Sequence, residues 1–453
     1  LSETGKVYEP ILYRQTILMH TSLEQLYDIY LKGHTISTDT RQITPGCIFF
    51  ALKGDNFDGN TYASEALAKG AAYAVIDNPD VVTDKRLLLV EDVLTALQDL
   101  ARHHRKTFTF PVIALTGSNG KTTTKELIAK VLSMKYKTYA TKGNLNNHIG
   151  VPLTLLAIDP AKYEMAVVEM GANHQEEIAL LSSIAQPTHG LITNIGKAHL
   201  EGFGGVKGII KGKGELLDFL SKKKGTVFVN VENDAVMEMV SKRRAFGEII
   251  FYCTESSPVN PELIQESPVV VFKGNKGKTV TTHIPGHYNF DNICAALAVG
   301  NHFEVTDEDA YEAVGNYQPD NNRSQIVKRG TNTVIMDAYN ANPSSMAAAI
   351  ENFARLDAKR KMVILGDMFE LGDAAEEEHL ALGKLVADAK FDLVILSGKL
   401  MQFALPALPK AYYFPDKFSL HNWVMDNPQM DTHILIKGSR GMALESVLGV
   451  MPQ

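Results

Sequence analysis

Three cysteines in 453 residues, Cys47, Cys253 and Cys294, are too few and too widely spaced to form a disulfide framework or a paired-cysteine metal site. One of them stays unpaired in any pairing scheme, which fits a reducing cytoplasm. No apolar run approaches the ~20 residues of a membrane span. The N-terminus lacks the charged head, apolar stretch and cleavage site of a secretion signal. An excess of basic charge is also missing. Lys and Arg total 45 against 52 Asp and Glu, a formal net charge of -7, which argues against a general nucleic-acid binder. That balance leaves room for a small anion held by a few local cations. There is no internal repeat and no low-complexity tract. The absences together leave a cytoplasmic protein with no membrane span and no nucleic-acid partner as the expectation.

The length exceeds what one core fills, since domains hold roughly 100–200 residues, and three domains are expected. Residues 1–18 are poorly patterned, and a clean amphipathic pattern (Leu23, Leu26, Tyr27, Tyr30, Leu31) begins after Met19. Met19 is therefore a candidate natural start, with 1–18 a leader or extension. A basic stretch at 102–106 and a polar stretch at 315–324 are candidate boundaries, giving domains at 19–106, 107–320 and 321–453. In the first, 47–52 and 71–76 read as strands and 62–69 as a helix. In the second, strands are expected at 112–115, 165–169, 190–193 and 227–230. In the third they are expected at 334–336, 362–365, 393–396 and 433–436. Strands alternating with helices imply an α/β fold built on parallel sheets covered on both faces. Ligands gather at the C-terminal ends of such strands.

The segment Val112-Ile-Ala-Leu-Thr-Gly-Ser-Asn-Gly-Lys-Thr-Thr-Thr124 runs from strand through a glycine turn into a helix marked by Leu127, Ile128, Val131 and Leu132. Gly117 and Gly120 let the backbone curl its N–H groups onto one anion, and the new helix adds partial positive charge there. Lys121 can reach the β- and γ-phosphates, and the Thr122 hydroxyl can hold Mg²⁺. The spacing is that of a short phosphate loop, because the position of the first glycine in the longer pattern is Leu115. Glu169 ends the strand 165–169 on the same sheet edge, where it can ligate Mg²⁺ or simply face solvent. His199 follows the next strand, and a lone His is more often a packing residue than a ligand for a cation that prefers oxygen. Lys211 and Lys213 lie in a helical stretch where surface cations are the rule.

Taken together, several blocks resemble the Mur ligase family, ATP-dependent amide-forming enzymes of cell-wall synthesis. They are Thr116-Gly-Ser-Asn-Gly-Lys-Thr-Thr123, Gly143-Asn-Leu-Asn-Asn-His-Ile-Gly-Val-Pro152, Val168-Glu-Met-Gly-Ala172 and Asn194-Ile-Gly-Lys-Ala-His-Leu-Glu-Gly-Phe-Gly204. Gly286-His-Tyr-Asn-Phe-Asp-Asn292, Asp337-Ala-Tyr-Asn-Ala-Asn-Pro343, Gly366-Asp-Met-Phe-Glu-Leu-Gly372 and Lys437-Gly-Ser-Arg-Gly441 extend the likeness over nearly the whole chain after Met19. The last three are most like the member that adds D-alanyl-D-alanine.

The resemblance implies a small N-terminal α/β domain, a central phosphate-loop mononucleotide-binding domain with a parallel sheet, and a C-terminal Rossmann-like domain. It implies that Thr116, Gly117, Ser118, Asn119, Gly120, Lys121, Thr122, Thr123 and Asn147 surround the ATP phosphates. Asn289 and Asn292 are then the adenine readers, with Arg323 at phosphate and Asp337 at ribose. Thr122 and Glu169 would serve one Mg²⁺, and Glu169 and His199 a second. One helical lysine is implied to be carbamylated, Lys213 first and Lys211 second. The catalytic set is Lys121, Glu169, His199, Lys213 and Arg323. The resemblance also assigns substrate contacts to Ser37, Thr38, Asp39, Thr40 and Arg41 in a uridine-nucleotide segment, and to Asn340, Asn342, Lys437, Ser439 and Arg440. Those last three would anchor a carboxylate or phosphate, where composition alone suggests a strand-to-helix turn with surface cations. The implied partners are UDP-N-acetylmuramoyl-tripeptide and D-alanyl-D-alanine, handled by a monomer whose third domain closes over the second. If so, Lys121→Ala abolishes ligation. Phosphate release from ATP in the presence of both substrates measures it, and normal turnover would remove the loop assignment.

Overall fold

A computed structural model describes residues 20–254 and 257–452. The expected leader, 1–18, and Met19 lie outside the described residues. The chain forms two compact units, one ending at His104 and the other beginning at Arg105.

The first unit is built on a four-stranded parallel sheet in the order Ile36–Ser37, Ile48–Phe50, Tyr73–Ile76, Leu87–Leu89. Helix Leu23–Tyr30 is started by Ser22, whose side chain accepts from the Gln25 N–H while Gln25 reaches back to the Ser22 N–H. That reciprocal cap satisfies two donors the first turn would leave open. Cys47, Phe49, Ala63, Ala66, Ala74, Ile76 and Leu87 form the core. The basic stretch at 102–106 sits at the end of helix Val93–Arg105.

The second unit holds two six-stranded sheets. The first is all parallel, in the order Glu248–Tyr252, Thr226–Asn230, His189–Ile192, Val112–Thr116, Met165–Glu169, Thr138–Ala140. From Val112–Thr116 the chain goes to the far edge, returns to Met165–Glu169 on one side, then crosses to His189–Ile192 on the other. Val112–Thr116 therefore ends at a switch in strand order, where the loops diverge and leave a crevice. Behind it, helix Lys121–Ser133 packs on helix His287–His302 through Leu127, Ile128, Val131, Ile293, Ala296 and Leu297. The two helices cross closely because Gly300 faces Val131, where a Cβ would come within 2.4 Å of Val131 Cγ1.

The second sheet has the order Gln325–Arg329, Asn332–Asp337, His433–Lys437, Lys361–Gly366, Leu393–Ser397, Tyr412–Phe414. Its first strand, not among those expected from the sequence, is antiparallel to its neighbour, while the four expected strands pair in parallel. The reason is local. Arg329 pairs directly with Asn332, so Gly330 and Thr331 alone make the turn, and Gly330 takes φ +54°. A two-residue connection can join only antiparallel strands. A further antiparallel sheet, Glu262–Gln265, Val271–Lys273 and Thr279–Thr281, was likewise not expected. We call the residues around the first six-stranded sheet the central half of this unit and those around the second its C-terminal half.

Candidate active site

Between the two halves lies a cavity of 590 Å³, lined from the central half by residues including Lys121, Thr122, Glu169 and His199, and from the C-terminal half by Arg323, Asp337, Tyr339 and Asn340. The phosphate loop forms its floor. Gly117 has φ +150°, and a Cβ there would stand 1.9 Å from Thr193 Oγ1. Glycine is therefore required both by conformation and by space. The loop is fastened to the segment after strand His189–Ile192. Ser118 N–H donates to Asn194 O at 3.0 Å, and Asn119 N–H to Asn194 Oδ1 at 3.0 Å. The Thr193 hydroxyl donates to Asn119 O at 2.6 Å, and Ser118 Oγ bridges the backbone of Gly196.

These bonds sharpen the expected anion site. The N–H groups of Ser118 and Asn119 are already taken, and Thr116 and Gly117 are not part of the lining. The amides left to meet an anion are those that open helix Lys121–Ser133, which have no partner within a helix. The Thr116 hydroxyl is buried with no hydrogen-bond partner.

Lys121 Nζ donates to Gly117 O at 2.8 Å and Ser118 O at 3.3 Å. Burial pulls its ammonium below the usual lysine range. Glu169 opposes that shift and Arg323 adds to it. Two cations from different halves thus feel each other across one cavity. Arg323 is carried over the Tyr339 ring, 3.5 Å from its centroid, and Arg440 approaches the same ring at 4.7 Å.

Glu169 is buried at the end of its strand. Its Oε2 accepts from the Thr122 hydroxyl at 2.8 Å and its Oε1 from Asn146 Nδ2 at 2.8 Å. Asn146 was not singled out in the sequence. It is one of three asparagines in a single block, and only the fold reveals which one meets the carboxylate. Its neighbour Asn147 also lines the cavity, and its Oδ1 accepts from the N–H groups of Ile149 and Gly150, just before helix Gly150–Leu156.

Lys211 and Lys213, equivalent by composition, are separated by the fold. Lys211 is exposed and Lys213 is fully buried. Lys213 Nζ lies 3.3 Å from Ala172 O, itself on the cavity wall, and 5.0 Å from the Phe203 ring centre. Burial lowers its pKa well below the usual value, and the charge of Lys121 acts in the same direction. His199 lines the cavity and its Nδ1 is bound by the Glu370 carboxylate, a partner the sequence did not indicate.

Several of the other expected residues line the cavity with their polar groups already partnered. Asn289 and Asn292 line the cavity, but their amides are linked in a chain. Asn289 Nδ2 donates to Pro285 O at 2.7 Å, Asn292 Nδ2 to Asn289 Oδ1 at 3.0 Å, and the Thr124 hydroxyl to Asn292 Oδ1 at 2.9 Å. Each amide has one further N–H beyond this chain of bonds. Lys437 lines the cavity with its amine already paired. It is 2% exposed, and its Nζ binds Asp337 Oδ2 at 2.6 Å and Asn340 O at 3.2 Å. Asp337 also accepts from Ser324 N–H at 3.2 Å. Ser439 is buried, accepts from Phe369 N–H at 3.0 Å and does not line the cavity. Arg440 is exposed outside the lining. Asn340 lines the cavity while its Oδ1 accepts from the Ala341 N–H at 2.9 Å. Asn342 caps helix Pro343–Arg355 and donates to Asn119 Oδ1 at 2.8 Å, joining the C-terminal half to the phosphate loop.

Residues 37–41 belong to the first unit. Asp39 caps the turn Thr40–Gln42, and Arg41 grips its carboxylate with Nε and Nη2, holding the Asp39 carboxyl down at about 2. Ser37 Oγ accepts from the Asp39 N–H at 3.3 Å, Thr38 lies between them, and Thr40 O accepts from Lys69 Nζ at 3.0 Å.

The buried Lys213 amine sets a pH prediction. Its folded pKa is depressed, so between that value and the unfolded value of about 10.4 the unfolded chain holds a proton that the folded chain has lost. Stability therefore falls as pH drops through that window. Lys213→Met removes the cost and should be more stable than the parent in urea at neutral pH, in carbonate-free buffer without nucleotide. The gap should narrow as pH rises from 7 to 9, and an equal or less stable variant at pH 7 would contradict the desolvated amine.

Comparison with known proteins agrees with this geometry. Three family models match: "Mur ligase family, catalytic domain" over residues 32–105, "Mur ligase middle domain" over 115–300, and "Mur ligase, glutamate ligase domain" over 322–440. The chain is 35% identical over 425 residues to the UDP-N-acetylmuramoyl-tripeptide--D-alanyl-D-alanine ligase of Bacillus subtilis, covering 92% of each. It is 34% identical over 455 residues to the ligase of that name from Escherichia coli, covering 96% of this chain and 99% of the relative. Among solved structures, MurF from Acinetobacter baumannii superposes with a TM-score of 0.82 at 32% identity, covering 94% of this chain and 97% of that one. MurF from Thermotoga maritima in complex with ADP superposes at 0.81 with 26% identity, covering 93% and 97%. The chain belongs to the Mur ligase family.

Proposed function

We propose that the chain is an ATP-dependent amide ligase that joins D-alanyl-D-alanine to UDP-N-acetylmuramoyl-tripeptide, forming ADP and phosphate in peptidoglycan precursor synthesis. The observation that carries the reading is the cavity in which Lys121 and Arg323, from opposite halves, face one anion site beside the Thr122 and Glu169 pair. The names of the relatives, matched over nearly their whole length, support these substrates.

A carboxylate is a poor acyl donor because its leaving group would be oxide. In the proposed reaction, a carboxylate oxygen of the tripeptide attacks the γ-phosphorus of ATP, the bond to the β-γ bridging oxygen breaks, and ADP leaves. The D-alanyl-D-alanine amine then attacks the carbon of the acyl phosphate. The tetrahedral adduct collapses with loss of phosphate, and the nitrogen gives up its proton. Negative charge grows on oxygen in both steps. Lys121, Arg323 and the free amides of the helix start oppose that charge in a site shielded from bulk water.

The residues suit Mg²⁺. The Thr122 hydroxyl and the Glu169 carboxylate are hard oxygen donors already in contact, and Glu169 with His199 would hold a second ion. The Lys213 amine, which burial makes easier to deprotonate, is suited to form a carbamate, whose oxygens would extend that set. When bound, the ions supply positive charge against the phosphate and acyl oxygens. The same reading assigns uridine-nucleotide binding to 19–106, ATP binding to 107–320 and closure to 321–453, in a cytoplasmic monomer.

Phosphate release measured with ATP, the UDP-linked tripeptide and D-alanyl-D-alanine, omitting each in turn, tests the reaction. Sustained release should require all three. Release that continues without D-alanyl-D-alanine, or with a single amino acid in its place, would point to a plain phosphohydrolase or to a ligase of different specificity.

A further inference from the structure

The segment that carries His199 is built by the central half but docked on the C-terminal half. Lys197 N–H donates to Ser344 Oγ at 2.7 Å, and Lys197 Nζ pairs with Glu378 at 2.5 Å. Leu200 packs against the C-terminal apolar cluster. Glu201 N–H reaches Glu370 O at 3.4 Å. His199 stands in the middle of these contacts, at φ +55°, opposite Glu370 at φ +61°. The Glu370 carboxylate binds His199 Nδ1, while the ring lines the cavity.

We infer that Glu370 is a positioning residue that makes His199 a metal ligand only when the two halves are docked. The inference rests on the reading of His199 as a ligand given above. The chemistry is specific. A carboxylate accepts but cannot donate, so the His199 Nδ1 it binds must carry a hydrogen, which leaves Nε2 as the ring nitrogen available to a metal. Carboxylate partners of this kind fix the tautomer and orientation of metal-binding histidines, and their loss typically weakens metal binding 10–100-fold. Here the partner comes from the opposite half of the cavity. The metal set would therefore be incomplete until the C-terminal half is in place, linking its docking to assembly of the site.

Mn²⁺ binding, followed through the electron paramagnetic resonance signal of the free ion, tests this on the whole protein loaded with a non-hydrolysable ATP analogue. The parent should take up two ions. His199→Ala should lose the weaker event. Glu370→Ala should weaken that same event by about 10–100-fold and leave the tighter event and nucleotide affinity unchanged. Glu370→Gln, whose amide oxygen still accepts from Nδ1–H, should recover most of the loss, which a merely structural role would not explain. Parent-like affinity in Glu370→Ala, or a Glu370→Gln variant as weak as the alanine one, would overturn the positioning role. If His199→Ala itself kept both ions, the reading of His199 as a ligand would fall, and the inference with it.

Discussion

The site depends on placing like charges together. Lys121 and Arg323 arrive from opposite halves of the second unit and bring positive charge into one cavity, at the start of a helix whose own amides add to it. Such an arrangement repels itself unless an anion stands between the cations. A polyphosphate meets that need, since it offers several oxygens at once to amides, ammonium and guanidinium. The other features of the cavity make this concentration of charge tolerable and directional.

Much of the remaining charge is cancelled locally. Lys437 is spent on Asp337 and Lys197 on Glu378. The loop beneath Lys121 is fixed by Thr193 and Asn194, so its free amides do not need to reorganise when an anion arrives. Asn342 ties the C-terminal half to Asn119 in that same loop. Contacts across the cavity therefore reach the phosphate loop and the His199 segment alike. This is how closing one half over the other would both shield the acyl phosphate from water and complete the catalytic set.

What was legible in the sequence was what local pattern encodes. The strand, glycine turn and helix of the phosphate loop need only neighbouring residues, and so do the apolar runs that became the core strands of both sheets. Glu169 was placed by its position at a strand end. Features with distant partners were not legible. Lys211 and Lys213 look alike until the helix turns one outward and the other into the wall. Lys437 reads as an unpaired cation until the parallel pairing of Asp337 with Lys437 brings the two together. Asn146 and Glu370 are ordinary polar residues whose roles exist only through Glu169 and His199. The antiparallel hairpin Gln325–Arg329 with Asn332–Asp337 did leave a local sign, the Gly330-Thr331 turn, within a stretch dominated by parallel patterning.

The central claim is that the nucleotide is held by both halves at once, and Arg323→Ala tests it most directly. Calorimetric titration with a non-hydrolysable ATP analogue should show affinity weakened about tenfold to a hundredfold, the range set by losing a charge-assisted hydrogen bond of about 1.5–3 kcal/mol. The fold of the central half should be unaffected. An unchanged dissociation constant would mean that the central half binds the triphosphate alone, and would contradict the account.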